Sequence, residues 1–338
     1  MIIVLKPNLS RKEESAVLRE IRKLGYTPHV MRGVARTVIG AIGDERTHAS
    51  LEPLSTWPQV ESVTPIQKRY KLVSREAHPT DSTVTTRRTV IGGPKFQVMA
   101  GPCSVESEDQ LLRTAVAVRD AGATILRGGA FKPRTSPYEF QGLGEKGLKL
   151  LAKARRETGL PVITELLSED HAELVAEYAD MLQIGTRNAQ NFQLLIAAAK
   201  TGKPVLLKRG MSMRIEEWLL AGEYILANGN PGLLFCERGI RTFETYTRNT
   251  LDLSAVPILK HETHLPVVVD PSQGTGKASL VAAMCKGAIV MGADALLIEV
   301  HPNPAEAWSD GAQQLTLDGF RTLMRDLQPF IAAAGRQA

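Results

Sequence analysis

The 338-residue chain is 43% hydrophobic and 23% charged, a balance that suits a soluble globular protein with ample chain for a core. Its formal net charge of +5 comes from 41 basic and 36 acidic residues, and aromatic residues make up only 5%. Without a basic run or an aromatic stripe, nucleic-acid binding is disfavoured, and a pocket for small anions uses the same excess better.

Cys103, Cys236 and Cys285 lie far apart and form no C-x-x-C pair, so neither a disulfide framework nor a zinc ribbon is implied. The apolar start of "MIIVLKPNLS" is too short for a signal peptide. The most apolar stretch, 281–300, is interrupted by Lys286, Asp294 and Glu299, which argues against a membrane span. The expectation is a cytoplasmic enzyme that meets neither nucleic acid nor membrane.

Residues 1–70 read as a small domain of their own. "MIIVLK" is a strand, and residues 11–25 carry Ala16, Val17, Leu18, Ile21 and Leu24 at near-helical spacing before Gly25. "TPHVM" and "RTVIGAIG" are two strands with a Gly33 turn between them. "THASLEPLSTW" is a short helix and "VESVTPI" a last strand. The order βαββαβ is the ferredoxin-like pattern, suited to a regulatory domain or to a structural cap. Residues 71–94 are polar with weak strand character and read as a linker that can hold a hairpin.

From residue 95 to 338 the chain alternates. "FQVMAG", "TILRGG", "PVITEL", "MLQIG", "PVLLKR", "LLFCER", "PVVVD" and "ALLIEV" are eight short buried strands with room for a helix after each. The first helical segment, "SEDQLLRTAVAVRDAG", opens on a capping box from Ser107 to Gln110 and stops at Gly122. Eight such units predict a (β/α)8 TIM barrel rather than a doubly wound open sheet.

Barrel chemistry sits at the C-terminal strand ends. Those ends carry Cys103; Arg127, Lys132 and Arg134; Glu165; Arg187; Lys208 and Arg209; Glu237 and Arg238; Asp270 and Gln273; and Glu299, His301 and Asp310. Seven cationic residues on one rim repel each other unless anions bind, which predicts a site for more than one phosphate or carboxylate. Cys103, Glu299 and Asp310 form a second, anionic subset that can hold a divalent metal of the Mn, Fe, Co or Zn type. "DPSQGTGK" is not a nucleotide loop, which needs glycine at 271 and Ser or Thr at 278, where this chain has Pro271 and Ala278. Asp270 is expected to face substrate at the end of the seventh strand.

The motifs "AGPCSVES", "LRGGAFKPRTSPYEFQGLGEKGL", "IGTRNAQNF", "PVLLKRG", "CERGIRTFE", "TRNTLDLSAVP" and "IEVHPNPAEAWSDG" resemble those of 3-deoxy-D-arabino-heptulosonate 7-phosphate (DAHP) synthases. The resemblance spans nearly the whole chain and points to the type I beta subgroup, with its N-terminal ferredoxin-like regulatory domain. It implies condensation of phosphoenolpyruvate with erythrose 4-phosphate, the entry to the shikimate pathway and aromatic amino acid biosynthesis. By the match, Arg127 and Lys132 hold the phosphoenolpyruvate carboxylate, and Arg187, Lys208 and Arg238 hold its phosphate. Arg134 and Thr135, with Ser136 near, hold the phosphate of erythrose 4-phosphate. Glu165 positions the attacking water. Lys132 is the proton donor, with a pKa lowered among its cationic neighbours. The resemblance also implies inhibition by tyrosine or phenylalanine and a homotetramer. "KPRTS" argues against another aldose, since 3-deoxy-octulosonate 8-phosphate synthases carry an Asn-rich motif there.

One position departs from the pattern. The resemblance implies four metal ligands, of which Cys103, Glu299 and Asp310 match three; the fourth, a histidine in "DPSH", is Gln273. An amide oxygen is a weaker ligand than imidazole. Three outcomes stay open: weaker metal binding through Gln273 or a water, chemistry without a tightly bound metal, or a specialised, low-activity paralogue.

Overall fold

The structure, a computed structural model, describes residues 1–32, 36–43, 48–64 and 69–337. The expected Gly33 turn, Thr47, and the end of the last N-terminal strand at Pro65 and Ile66 lie outside them. The chain divides into two compact units, Met1–Arg69 and Tyr70–Ala338.

In the first unit, β1 (Ile2–Leu5), β2 (Thr27–Arg32), β3 (Thr37–Ile42) and β4 (Val60–Thr64) form a sheet in the order β2-β3-β1-β4. Helix α1 (Arg11–Lys23) opens on a capping box between Ser10 and Glu13 and buries Val17 and Ile21. These pack with Ile3, Leu5, Ile39 and Val60 in one core. The expected second helix is a single 3₁₀ turn, Glu52–Thr56. Pro53 sits at its start, and the segment is polar apart from Leu51 and Leu54. Their three-residue spacing suits a tight turn and buries both.

In the second unit, eight parallel strands close a barrel. They are β7 (Gln97–Gly101), β8 (Ile125–Arg127), β9 (Val162–Glu165), β10 (Met181–Ile184), β11 (Val205–Lys208), β12 (Leu233–Glu237), β13 (Val267–Val269) and β14 (Ala295–Glu299). Pairing of β14 with β7, from Ala295 opposite Gln97 to Glu299 opposite Gly101, completes the ring and excludes the open sheet. The capping box expected at 107–110 is half made. Ser107 Oγ accepts from Gln110 N at 3.1 Å, but the buried Gln110 side chain turns to Glu106 N and Ser104 O instead. It thereby braces the loop that carries Cys103.

Ahead of the barrel, β5 (Val84–Thr86) and β6 (Thr89–Ile91) form an antiparallel hairpin. Its Val84 and Ile91 belong to the same buried cluster as Met99, Ile125, Ile163, Met181, Leu206 and Val268. The barrel interior at this level is therefore a dry apolar layer that includes the hairpin. Truncating Ile91→Ala should leave a cavity there and cost about 2–4 kcal/mol, read as a lower denaturant midpoint of the barrel unit.

Candidate active site

Strand periodicity builds the site. Side chains on one face recur every second residue. The buried apolar layer contains Met99, Ile125, Ile163, Met181, Leu206, Cys236, Val268 and Leu297. Two positions further along the same strands stand Gly101, Arg127, Glu165, Gln183, Lys208, Arg238, Asp270 and Glu299. All but one of these eight carry a polar or ionic side chain, so the interior changes from apolar to charged in one step along every strand.

Above this ring is a cavity of about 370 Å³. Arg127, Lys132, Arg134, Arg187, Lys208 and Arg238 line it, as the sequence led us to expect, and so do Thr135 and Glu165. Arg241 and Arg248, from the long loop after β12, add two cations that sequence reading passed over. Gln183, Glu139 and Asn249 were also missed. Gln183 could have been found, as a lone polar residue inside the otherwise apolar "MLQIG". The other four sit in long loops, where no periodicity marks the residues that turn inward.

Arg209 does not join the cluster. Its parity on β11 is opposite to that of Lys208, and its guanidinium bonds Glu237 at 2.9 Å and Asp252 at 2.8 Å. The Glu237 carboxylate is spent on the same pair and on the amide of Gly239. His301 likewise lies aside, bonded to Glu106 at 3.2 Å; the Glu106 carboxylate also takes Trp308 N. That pair ties the loop before Asp310 to the loop after Cys103.

Asp270 and Ser136 sit below or beside the cavity, while Glu165 and Arg187 line it. Asp270 is 1% exposed and accepts from Lys208 Nζ at 2.6 Å and from Gln273 N at 2.9 Å, so it holds a cation rather than facing the cavity. Ser136 is half-buried on the loop 133–139, where its amide donates to Glu139 and Arg134 Nε donates to the same carboxylate at 3.1 Å. Glu165 packs against Gly185, where any side chain would run into its Oε1. Arg187 reaches Thr135 Oγ1 at 3.4 Å.

At the cavity floor, which Asp310 and Gln273 help to line, one ligand atom each from Cys103, Glu299 and Asp310 lies within 4.8 Å of the others. Thiolate and carboxylates suit a divalent metal of the Mn, Fe, Co or Zn type, so these three fit one. Asp310 adopts a left-handed backbone, φ 50°, uncommon outside glycine and tolerated best by Asp and Asn. Donors surround the three. Arg127 reaches Glu299 at 2.6 Å, Gln313 reaches its other oxygen at 2.6 Å, Lys132 reaches Cys103 Sγ at 3.0 Å and Arg248 reaches Asp310 at 3.1 Å. Gln273 turns its amide nitrogen, not its oxygen, to the acids: Nε2 lies 3.0 Å from Glu299 and 3.4 Å from Asp310.

Charge in this cluster follows from burial and partners. Burial pushes the Cys103 thiol up to about 12, helped by the Glu299 carboxylate. Burial also opposes charge on Glu299, but Arg127, Lys132 and the Gln313 hydrogen bond outweigh it and hold that carboxyl down to about 2. Lys132 is raised, not lowered as the sequence suggested. Burial works against its ammonium, yet the Cys103 and Glu299 sites more than offset that. The Glu299 carboxylate, held ionised, helps to keep Lys132 protonated.

Residues 77–331 match the DAHP synthetase I family, and residues 1–68 match the DAHP synthase ferredoxin-like domain. The chain belongs to the DAHP synthetase I family. It is 49% identical to phospho-2-dehydro-3-deoxyheptonate aldolase of Thermotoga maritima over 335 residues, 99% of each chain. It is 32% identical to 2-dehydro-3-deoxyphosphooctonate aldolase of Acidithiobacillus ferrooxidans over 69% of this chain and 88% of that one. The crystal structure of the Thermotoga maritima DAHP synthase superposes with a TM-score of 0.95 at 48% identity, covering 99% of this chain and 98% of that one. A truncated form of that synthase superposes with a TM-score of 0.74, covering 79% of this chain and 98% of its own.

Within this DAHP synthetase I barrel, Arg209 and Glu237 form a buried pair that is separate from the cavity. Arg209→Met strands Glu237 and should cost about 3–5 kcal/mol in chemical denaturation, only partly recovered in Arg209→Met/Glu237→Leu, which still leaves Asp252 and the Gly239 amide without these partners. Binding of inorganic phosphate, measured by calorimetry, should change little in the double variant.

Proposed function

We propose that the chain condenses phosphoenolpyruvate with erythrose 4-phosphate and water to give DAHP and phosphate, the first step of the shikimate pathway. One observation carries the assignment of the cavity. Among the described residues of the barrel unit, the buried side-chain atoms without a hydrogen-bond partner are Arg127 Nε and Thr186 Oγ1, and both residues line it. A buried polar atom left unpaired costs about 1–3 kcal/mol, so such atoms mark where a ligand completes the bonding. Eight cationic side chains against three carboxylates line the same space, which selects an anion with more than one charged group. The name of the Thermotoga maritima relative supports the same reaction.

Arg127 and Lys132 hold the phosphoenolpyruvate carboxylate, and Arg187, Lys208 and Arg238 hold its phosphate. Arg134 and Thr135, with Ser136 at the edge, take the phosphate of the aldose. Carbon 3 of phosphoenolpyruvate then bonds to the aldehyde carbon, water positioned by Glu165 adds at carbon 2, and phosphate leaves. Lys132, kept protonated beside Glu299, can donate to the forming alkoxide. Asp270 fixes the Lys208 ammonium in place. Cys103, Glu299 and Asp310 would hold a divalent metal, which would supply Lewis-acid polarisation of the aldehyde. The motif "KPRTS" and the 49% identity favour erythrose 4-phosphate over another aldose phosphate.

Phosphoenolpyruvate loss should proceed with erythrose 4-phosphate, and roughly tenfold or more slower with arabinose 5-phosphate. It should fall in EDTA and return with Mn²⁺. No consumption under any metal condition would overturn the reaction.

We place the enzyme in the cytoplasm, where its three free, buried cysteines stay reduced. No helix among the described residues is long and apolar enough to cross a membrane. The ferredoxin-like domain supports feedback inhibition by tyrosine or phenylalanine, within a homotetramer. A protein lacking residues 1–69 should keep turnover and lose that inhibition in a steady-state assay, and light scattering on both forms reports the assembly.

A further inference from the structure

We propose that Gln273 is a two-position amide that couples divalent-metal affinity at Cys103, Glu299 and Asp310 to anion binding at Arg238. The inference rests on reading those three residues as a metal site and Arg238 as a phosphate contact.

The Gln273 side chain bridges two kinds of partner. Its Nε2 faces the Glu299 and Asp310 carboxylates at 3.0 and 3.4 Å, and its Oε1 accepts from Arg238 Nη2 at 3.4 Å. Chemistry fixes this orientation. Ionised carboxylates only accept and a guanidinium only donates, so the flipped amide would set oxygen against oxygen and N–H against N–H. The backbone is pinned as well: Asp270 Oδ1 takes the Gln273 amide at 2.9 Å, and Asn249 Nδ2 reaches its carbonyl at 3.2 Å. Only rotation about the side chain is left to move the amide.

As oriented, the amide offers a cation no ligand atom. To ligate through oxygen it must turn over, which brings its N–H onto the Arg238 guanidinium. The Arg238–Gln273 contact and Gln273–metal ligation therefore exclude one another. Arg238 is buried, and among the described residues no carboxylate pairs with it. A phosphate there makes charge-assisted bonds stronger than the long contact to a neutral amide. Phosphate thus takes Arg238 from Gln273 and frees the oxygen to turn to the metal. By linkage, metal must tighten phosphate by the same factor. A histidine at this position has no such second orientation to give up.

Calorimetric titration of Mn²⁺ into the full-length protein, with and without saturating inorganic phosphate, tests this. Phosphate should tighten Mn²⁺ by about tenfold in the native protein, an ordinary size for coupling between sites. Gln273→His should bind Mn²⁺ more tightly without phosphate and respond to it by no more than about threefold, the residue of plain charge attraction. Gln273→Ala should bind weakly and respond equally little. An equal phosphate response in all three proteins overturns the proposal, as does a native protein that takes up no Mn²⁺ at any phosphate concentration. Circular dichroism confirms that each variant is folded, and the two substitutions remove the amide in different ways. No substrate is consumed in these titrations. Coupling without phosphoenolpyruvate turnover would keep this inference and reject the reaction, and turnover without coupling would do the reverse.

Discussion

Buried positive charge is the constraint on which the rest of the barrel depends. Guanidinium and ammonium groups brought to one small mouth repel each other, and burial removes the water that would screen them. The fold answers within the protein first. Glu299 takes Arg127, Asp270 takes Lys208, and the Arg209–Glu237 pair is turned out of the cavity altogether. What stays uncompensated is local: Arg187, Arg238 and Arg241 face the cavity without a carboxylate partner among the described residues. The excess is thus confined to where a substrate can neutralise it.

The same constraint explains the two-layer interior. A charged residue one step lower would sit among Met99, Ile163, Leu206 and Val268 with neither solvent nor a partner, at a cost of several kcal/mol. Filled by side chains and by Val84 and Ile91 of the hairpin, the lower layer is rigid, and it holds Arg127, Lys208 and Glu299 at fixed heights on short strands. Preorganised cations avoid reorganisation when charge shifts during reaction, which is the usual source of electrostatic catalysis.

Much of this was legible in the sequence, because strands repeat and loops do not. Eight short apolar runs at regular intervals give the barrel, and each run ends in a residue type that only a functional rim would gather. Parity along a strand was the signal left unused. It separates Lys208 from Arg209 and picks out Gln183, and it needs nothing beyond the alternation of side chains. Arg248, Gln313 and Glu139 were not legible. Their positions depend on how long loops fold back over the mouth, and Arg248 contacts Asp310 across 62 residues of sequence. The Lys132 pKa was misjudged for a related reason. The sequence shows the cations near it, but only the structure shows that Glu299 and Cys103 lie closer in effect.

Gln273 shows why one substitution need not dismantle a site. Exchanging a ligand for alanine would leave Glu299 and Asp310 facing each other with one donor fewer. Glutamine instead supplies an N–H to both, and its oxygen meets the nearest cation, so the cluster stays satisfied. That satisfaction opposes metal entry, because any metal must compete with hydrogen bonds from Gln273, Arg127 and Lys132. The three side chains that remain, one cysteine and two carboxylates, include the two acids whose negative charge favours a divalent ion. If these three residues hold a metal, glutamine in place of a histidine ligand would make its occupancy conditional on whatever else draws on the amide.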